Sequence, residues 1–101
     1  MTVHSLKELE KFIKKHRDAK DELESWLALI KLAEWDNFDA LKLYFPKKDF
    51  AVHALNNPGW ILFKFGHRWR IDVYIKYEVK IVIINRVGTH EEYNKWKPKF
   101  H

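Results

Sequence analysis

An arginine, a histidine and a tyrosine fall in the second half of this chain where a strand and a helix start would bring them together. Arg70 lies in the run Arg68-Trp69-Arg70-Ile71-Asp72-Val73-Tyr74-Ile75-Lys76-Tyr77, which alternates strictly. Trp69, Ile71, Val73, Ile75 and Tyr77 take one face of a strand, and Arg68, Arg70, Asp72, Tyr74 and Lys76 take the other. Farther on, an apolar run from Ile81 to Val87 leads into Gly88-Thr89-His90-Glu91-Glu92-Tyr93. Thr89 and Glu92 have capping-box spacing, so each side chain can satisfy the other residue's backbone amide, and a helix should begin at His90. His90 and Tyr93, three apart, then share a face of the first turn, where free N–H groups and the positive dipole end favour an anion such as phosphate. Guanidinium, imidazole and phenol beside an anion site suggest phosphoryl chemistry.

The elements that must position these groups read as helices first and strands second. Leu6, Leu9, Phe12 and Ile13 have helical spacing behind a Ser5-x-x-Glu8 start, which predicts a helix from Ser5 to His16. Leu23, Trp26, Leu27, Ile30 and Ala33 form the stripe of a second helix, from Asp18 to Glu34. Asp36 or Asn37 can cap a short third helix bearing Phe38, Leu41 and Tyr44, which Pro46 ends. Phe50 to Leu55, Trp60 to Phe65, Arg68 to Tyr77 and Lys80 to Val87 read as strands. The tight connections at Asn56-Asn57-Pro58-Gly59, Gly66-His67 and Glu78-Val79 imply antiparallel neighbours. The expectation is an α+β fold with two N-terminal helices packed on an antiparallel sheet of about four or five strands, ending in a short C-terminal helix.

Composition narrows the class. At 101 residues and 47% hydrophobic content, the chain is expected to form one domain over residues 1–101, with a single core. No apolar run approaches the roughly 20 residues of a membrane span, and Met1 to Lys7 lacks the apolar stretch of a signal peptide. The absence of cysteine excludes disulfides and thiolate metal sites and suits the cytoplasm. The six histidines show no metal-ligand spacing, so neither a metal nor another cofactor is expected. Residues 1–50 hold ten basic and ten acidic side chains, whereas 51–101 hold nine and four, so the C-terminal half carries the whole net charge of +5. A one-sided positive field attracts polyanions, which makes RNA or DNA the leading partner class; a basic surface kept only for solubility reads equally well from charge alone.

The sequence resembles the HigB family of bacterial toxins over nearly its whole length. The resemblance rests on Phe12-x-x-Lys15-His16-x-Asp18-Ala19, Leu23-x-x-Trp26, Ala33-x-Trp35, Leu41-Lys42-x-x-Phe45-Pro46, Phe63 to Arg70, and Val87-Gly88-Thr89-His90-x-Glu92-Tyr93, in this order. Such toxins belong to a RelE-like group that pairs two N-terminal helices with an antiparallel sheet and cuts messenger RNA, commonly on the ribosome. Their partner is HigA, an antitoxin with a helix-turn-helix domain. The resemblance thus implies a metal-independent endoribonuclease with mRNA, the ribosome and an antitoxin as partners.

Carried over by residue, the resemblance gives Arg70 the scissile phosphate, and puts His90 and Tyr93 in the motif that opens the last helix. RNA supplies its own nucleophile, the 2′-hydroxyl, so the enzyme needs a proton acceptor, a donor to the leaving oxygen and cations for the charge building on phosphate. Arg70 offers a two-pronged fork, His90 an imidazole that a helix N-terminus favours as the neutral acceptor, and Tyr93 a phenol that orients the 2′-hydroxyl or donates to an oxygen. The products would be a 2′,3′-cyclic phosphate and a 5′-hydroxyl. Arg68, Lys76, Arg86, Lys95 and Lys97 are the candidate RNA-binding cations, with Lys42, which recurs in the family pattern. Trp26, Trp35 and Trp69 read as core rather than stacking platforms.

Competing readings remain: Asp72 or Glu78 could engage Arg70, and Tyr93 could pack on Trp96. Two positions depart from the family. Asn85 stands where many relatives carry arginine or lysine, and Arg86, one place later, falls on the opposite face by simple alternation. The Gly66-His67 turn is shorter than usual, with His67 where asparagine is common. An idle RNA-binding relative and a protein-only binding module are therefore the other two classes considered.

Overall fold

In chain order the elements are β1 (Thr2–His4), α1 (Leu6–Lys15), a 3₁₀ turn (Arg17–Ala19), α2 (Lys20–Leu32), α3 (Phe38–Lys42), β2 (Phe50–Ala54), β3 (Trp60–Phe65), β4 (Trp69–Lys76), a second 3₁₀ turn (Tyr77–Val79), β5 (Ile81–Thr89) and α4 (His90–Phe100). This computed structural model describes residues 1–45, 50–54, 59–66 and 68–100, with 50–54 and 96–100 described by their backbone. Pro46, the 56–58 part of the predicted turn, and His67 lie outside the described residues.

The strands form one sheet in the order β1-β5-β4-β3-β2. Neighbours from β2 to β5 are antiparallel, as the short connections predicted, but β1 pairs with β5 in parallel, so the sheet is mixed. Thr2 to His4 is too short for alternation to mark it as a strand, and the expectation of a wholly antiparallel sheet fails there. Ser5 must then turn the chain from β1 into α1 within one residue, and it does so in the left-handed region at φ 67°. Its side chain makes no cap, and the Glu8 amide reaches the Ser5 carbonyl instead, at 3.3 Å. The predicted capping box at Ser5 is therefore replaced by a backbone turn.

The apolar stripes of α1 and α2 lie on the face of the sheet that the alternation of β4 marked as apolar. Leu9, Phe12, Leu23, Trp26 and Ile30 meet Ile61, Phe63, Phe65, Trp69, Ile71, Val73, Val82 and Ile84 in one buried cluster. Trp26 stands edge-on to Phe63 at 5.4 Å, and Phe12 edge-on to Trp69 at the same separation. Trp35 is also buried, against Phe45. Of the two candidate caps for α3, Asn37 performs the role, its Oδ1 accepting from the Ala40 amide at 2.9 Å, while Asp36 pairs with Lys80. Tyr77 lies beyond β4 in the 3₁₀ turn, and Lys80 precedes β5 in a left-handed conformation at φ 57°. Among the described residues no helix is long and apolar enough to cross a membrane.

Candidate active site

The second face of β4 is polar in sequence but buried in the fold. Arg70 is 4% exposed and Asp72 2%, together with Leu62 of β3 at 2% and Tyr93 of α4 at 7%. The cover is α4, and the chain fixes its start in two ways. The Thr89 amide donates to Glu92 Oε1 at 3.0 Å and the Glu92 amide to Thr89 Oγ1 at 3.2 Å, which completes the capping box read from the sequence. The His90 amide donates to the Arg68 carbonyl at 3.1 Å, pinning the helix to the β3–β4 turn. One helical turn later Tyr93 points under the helix toward Arg70 and Asp72.

Arg70 is held by neutral groups. Its Nη1 donates to the carbonyls of Gly66, at 2.9 Å, and Trp69, at 2.8 Å, and its Nη2 lies 3.0 Å from His90 Nδ1. Gly66 presents its carbonyl from a left-handed conformation at φ 61°. Among the described residues no carboxylate forms an ion pair with Arg70, so neither Asp72 nor Glu78 takes it. Burial lowers its pKa, while the neighbouring Tyr93 acts the other way. A buried guanidinium without a counter-anion is electrostatically incomplete, and an anionic ligand would complete it.

Because a guanidinium can only donate, Nδ1 of His90 is the acceptor in this arrangement. The Asn94 side-chain amide sits 3.4 Å from Nε2. Burial raises the pKa of the Tyr93 phenol, the Asp72 charge raises it further, and Arg70 partly opposes them. Tyr93 is thus kept protonated, as a hydrogen-bond donor.

Asp72 is the member of this cluster that sequence reasoning did not single out. Its pKa is pushed up to about 6 by burial, against the lowering effects of Asn85 and Arg86. Those two reach it through a β-bulge. The ladder pairs Val73 with Ile84 but Asp72 with Arg86, leaving Asn85 as the extra residue. The apolar pattern of β5 demands this: Val82 and Ile84 are two apart, but the next residue packed on the core, Val87, is three farther on. Without an extra residue, Arg86 would lie opposite Ile71 and point into the core. The bulge instead turns it onto the face of Asp72 and Arg70, so the placement expected from simple alternation is wrong. Asn85 faces Asp72 as well, but among the described residues neither Asp72 Oδ1 nor Asn85 Nδ2 has a hydrogen-bond partner.

The other predicted cations are scattered. Arg68 does not share the Arg70 face, because it sits in the turn before β4, and its guanidinium pairs with Glu22 of α2. The same carboxylate accepts from Trp69 Nε1 at 3.2 Å. Lys76 is exposed at the far end of β4, about 20 Å from Arg70 at the usual rise per strand residue. Lys42 lies on α3, on the helix side of the sheet, 5.8 Å from the Phe38 ring centroid. Lys95 is exposed on α4; the side chains of Lys97 and Trp96 lie outside the described residues. The structure therefore gathers Arg70, His90, Tyr93 and Arg86, and adds Asp72. Among the described residues no group of three or more His, Cys, Asp or Glu side chains could hold a metal ion.

The α+β fold agrees with the one that the resemblance drawn from sequence implies, apart from the parallel β1. The family model described as HigB_toxin, RelE-like toxic component of a toxin-antitoxin system, matches residues 19–96. The chain belongs to this family: it is a toxin of a toxin-antitoxin system, which implies an antitoxin partner. No individually curated protein matches the chain.

Proposed function

We propose that this toxin is a metal-independent endoribonuclease that cleaves mRNA in the cytoplasm, on the ribosome, and that a HigA-type helix-turn-helix antitoxin neutralises it. The toxin acts as a single domain over residues 1–101. The observation that carries the reading is Arg70, buried without a counter-carboxylate among the described residues and bonded to His90 above Tyr93.

An RNA phosphate supplies the missing anion. As the Arg70 fork takes up two phosphate oxygens, Nη2 leaves His90 Nδ1, and the freed nitrogen accepts the proton of the adjacent 2′-hydroxyl. The O2′–P bond forms as the P–O5′ bond breaks, giving a 2′,3′-cyclic phosphate and a 5′-hydroxyl. Tyr93, kept in its phenol form, gives its proton to the leaving O5′ and regains one from solvent as His90 releases the one it accepted. The net positive charge of the C-terminal half supports capture of a polyanion. One observation favours a second reading, a catalytically weak RNA-binding toxin: His90 Nδ1 has no free lone pair until Arg70 turns.

The test is cleavage of mRNA in a ribosome-containing assay, with a ribosome-free comparison in EDTA. His90→Gln and Tyr93→Phe should each slow cleavage at least about tenfold while antitoxin binding persists, and Arg70→Ala should do comparable damage. Full cleavage by both His90→Gln and Tyr93→Phe would move the active site elsewhere, and strict dependence on an added transition metal would refute the 2′-hydroxyl route. Intact wild-type binding without measurable cleavage would select the second reading.

A further inference from the structure

We infer that Asp72 is a positioning residue that competes with the substrate phosphate for Arg86, holding this arginine on the site face when no RNA is bound and yielding it when RNA arrives. The inference rests on the ribonuclease reading for the identity of the phosphate. The arrangement of Asp72 and Arg86 is independent of that reading.

Three observations carry it. Arg86 reaches the Arg70 face only through the bulge, directly across the ladder from Asp72. Arg70 lies two residues before Asp72 on β4 and pairs with Gly88, which makes Arg86 its diagonal neighbour. Diagonal neighbours are about 7 Å apart at Cβ, within reach of a single phosphate for two arginines. Finally, Asp72 is 2% exposed and its Oδ1 has no hydrogen-bond donor among the described residues. The carboxylate is therefore poorly solvated in its charged form, and Arg86 is the cation opposite it.

The groups facing Asp72 are Arg70 on its own strand, Asn85 and Arg86 on β5, Tyr93 on α4 and, on β3, the apolar Leu62 directly across with Lys64 on the diagonal, beside Arg70. Three of these are cations, and the two arginines are the ones an RNA phosphate would occupy. A phosphate beside Asp72 repels the carboxylate and draws Arg86 away from it. Both effects favour protonation of Asp72, so RNA binding should take up a proton there. The elevated Asp72 pKa, about 6, puts this exchange near neutrality.

The experiment measures the affinity of a 2′-deoxy-substituted mRNA oligonucleotide, which cannot be cleaved, between pH 5.5 and 7.5 at fixed ionic strength. It uses the free toxin and the toxin with programmed ribosomes. Asp72→Asn mimics the protonated carboxyl. It should match wild type at the acidic end and bind about fivefold to tenfold tighter than wild type at the neutral end, an effect of the usual size for coupled sites. Titrations common to both proteins cancel in this comparison. Adding Arg86→Gln should remove most of the gain and leave only the direct repulsion between the carboxylate and the phosphate; a gain undiminished by Arg86→Gln would overturn the competition. Equal or weaker binding by Asp72→Asn across the range, in protein whose circular dichroism matches wild type, would make Asp72 merely structural and overturn the inference. If neither protein binds RNA in either setting, the ribonuclease reading falls, and sulfate, doubly charged throughout this range, decides about Asp72. Tighter sulfate binding by Asp72→Asn at pH 7.5, read from the arginine Nε resonances, upholds the competition; equal binding overturns it.

Discussion

Replacing Asp72 by asparagine should make the toxin more stable at neutral pH and barely change it in acid. In the folded chain burial holds the carboxyl at a pKa of about 6, against 3.8 for an ordinary aspartate. Below about pH 4 both folded and unfolded states carry the proton, and Asp72 imposes no penalty. As pH rises toward 6 the unfolded chain releases its proton while the folded one retains it, so stability falls. Above 6 both are ionised and the penalty is complete. A rise of about two pH units, at about 1.4 kcal/mol each, gives a penalty of about 3 kcal/mol. Asparagine has nearly the same shape and no charge, so at pH 7.5 the variant should gain up to about 3 kcal/mol. For a domain of this size that corresponds to a rise in Tm of roughly ten degrees or more. Urea and thermal melts of both proteins from pH 4 to 8 give the difference curve, from which titrations common to both drop out. That curve should be near zero at the acidic end and climb through pH 4 to 6. A constant offset would show that Asp72 does not titrate in this window. A variant less stable than wild type at neutral pH would mean that attraction to Arg86 outweighs burial and would refute the penalty.

Thr89→Ala removes the acceptor for the Glu92 amide at the start of α4 and should cost about 1 kcal/mol in a thermal melt. Cleavage should fall as well, since the same turn fixes His90 and Tyr93. Gly66→Ala meets nothing within 4 Å of its added Cβ, so its penalty should come only from φ 61°, about 1 to 2 kcal/mol by urea melt, with Gly66→Asn closer to wild type.

The sequence carried the local signals well and the tertiary ones unevenly. The Thr89–Glu92 box, the Asn37 cap and the odd-numbered face of β4 depend on near neighbours, and each is in place. What failed was set by partners far along the chain. Thr2 to His4 becomes a strand only because Ile81 to Ile83 offers an edge to pair with. The second face of β4 reads as solvated because its residues are polar, yet α4 covers it. A hint lay in β3, where Trp60-Ile61-Leu62-Phe63 is apolar on consecutive residues, the pattern of a strand buried on both faces. The bulge was legible too, from the three-residue step between Ile84 and Val87, since strict alternation cannot keep both on the core.

That bulge also bears on why Arg70 has no carboxylate partner among the described residues. Arg70 and Asp72 share a strand face two residues apart, near enough for a carboxylate to claim the guanidinium if nothing else competes. Had Asp72 paired with Arg70, the site would be internally neutral, and a phosphate would have to break an ion pair before binding. Arg86, brought across from Asp72 by one extra residue, gives that carboxylate another cation, while the carbonyls of Gly66 and Trp69 and the His90 imidazole orient Arg70 without cancelling its charge. Asn85, at first sight the loss of a basic residue, is thus the residue whose insertion keeps Arg86 out of the core and leaves Arg70 open to an anion.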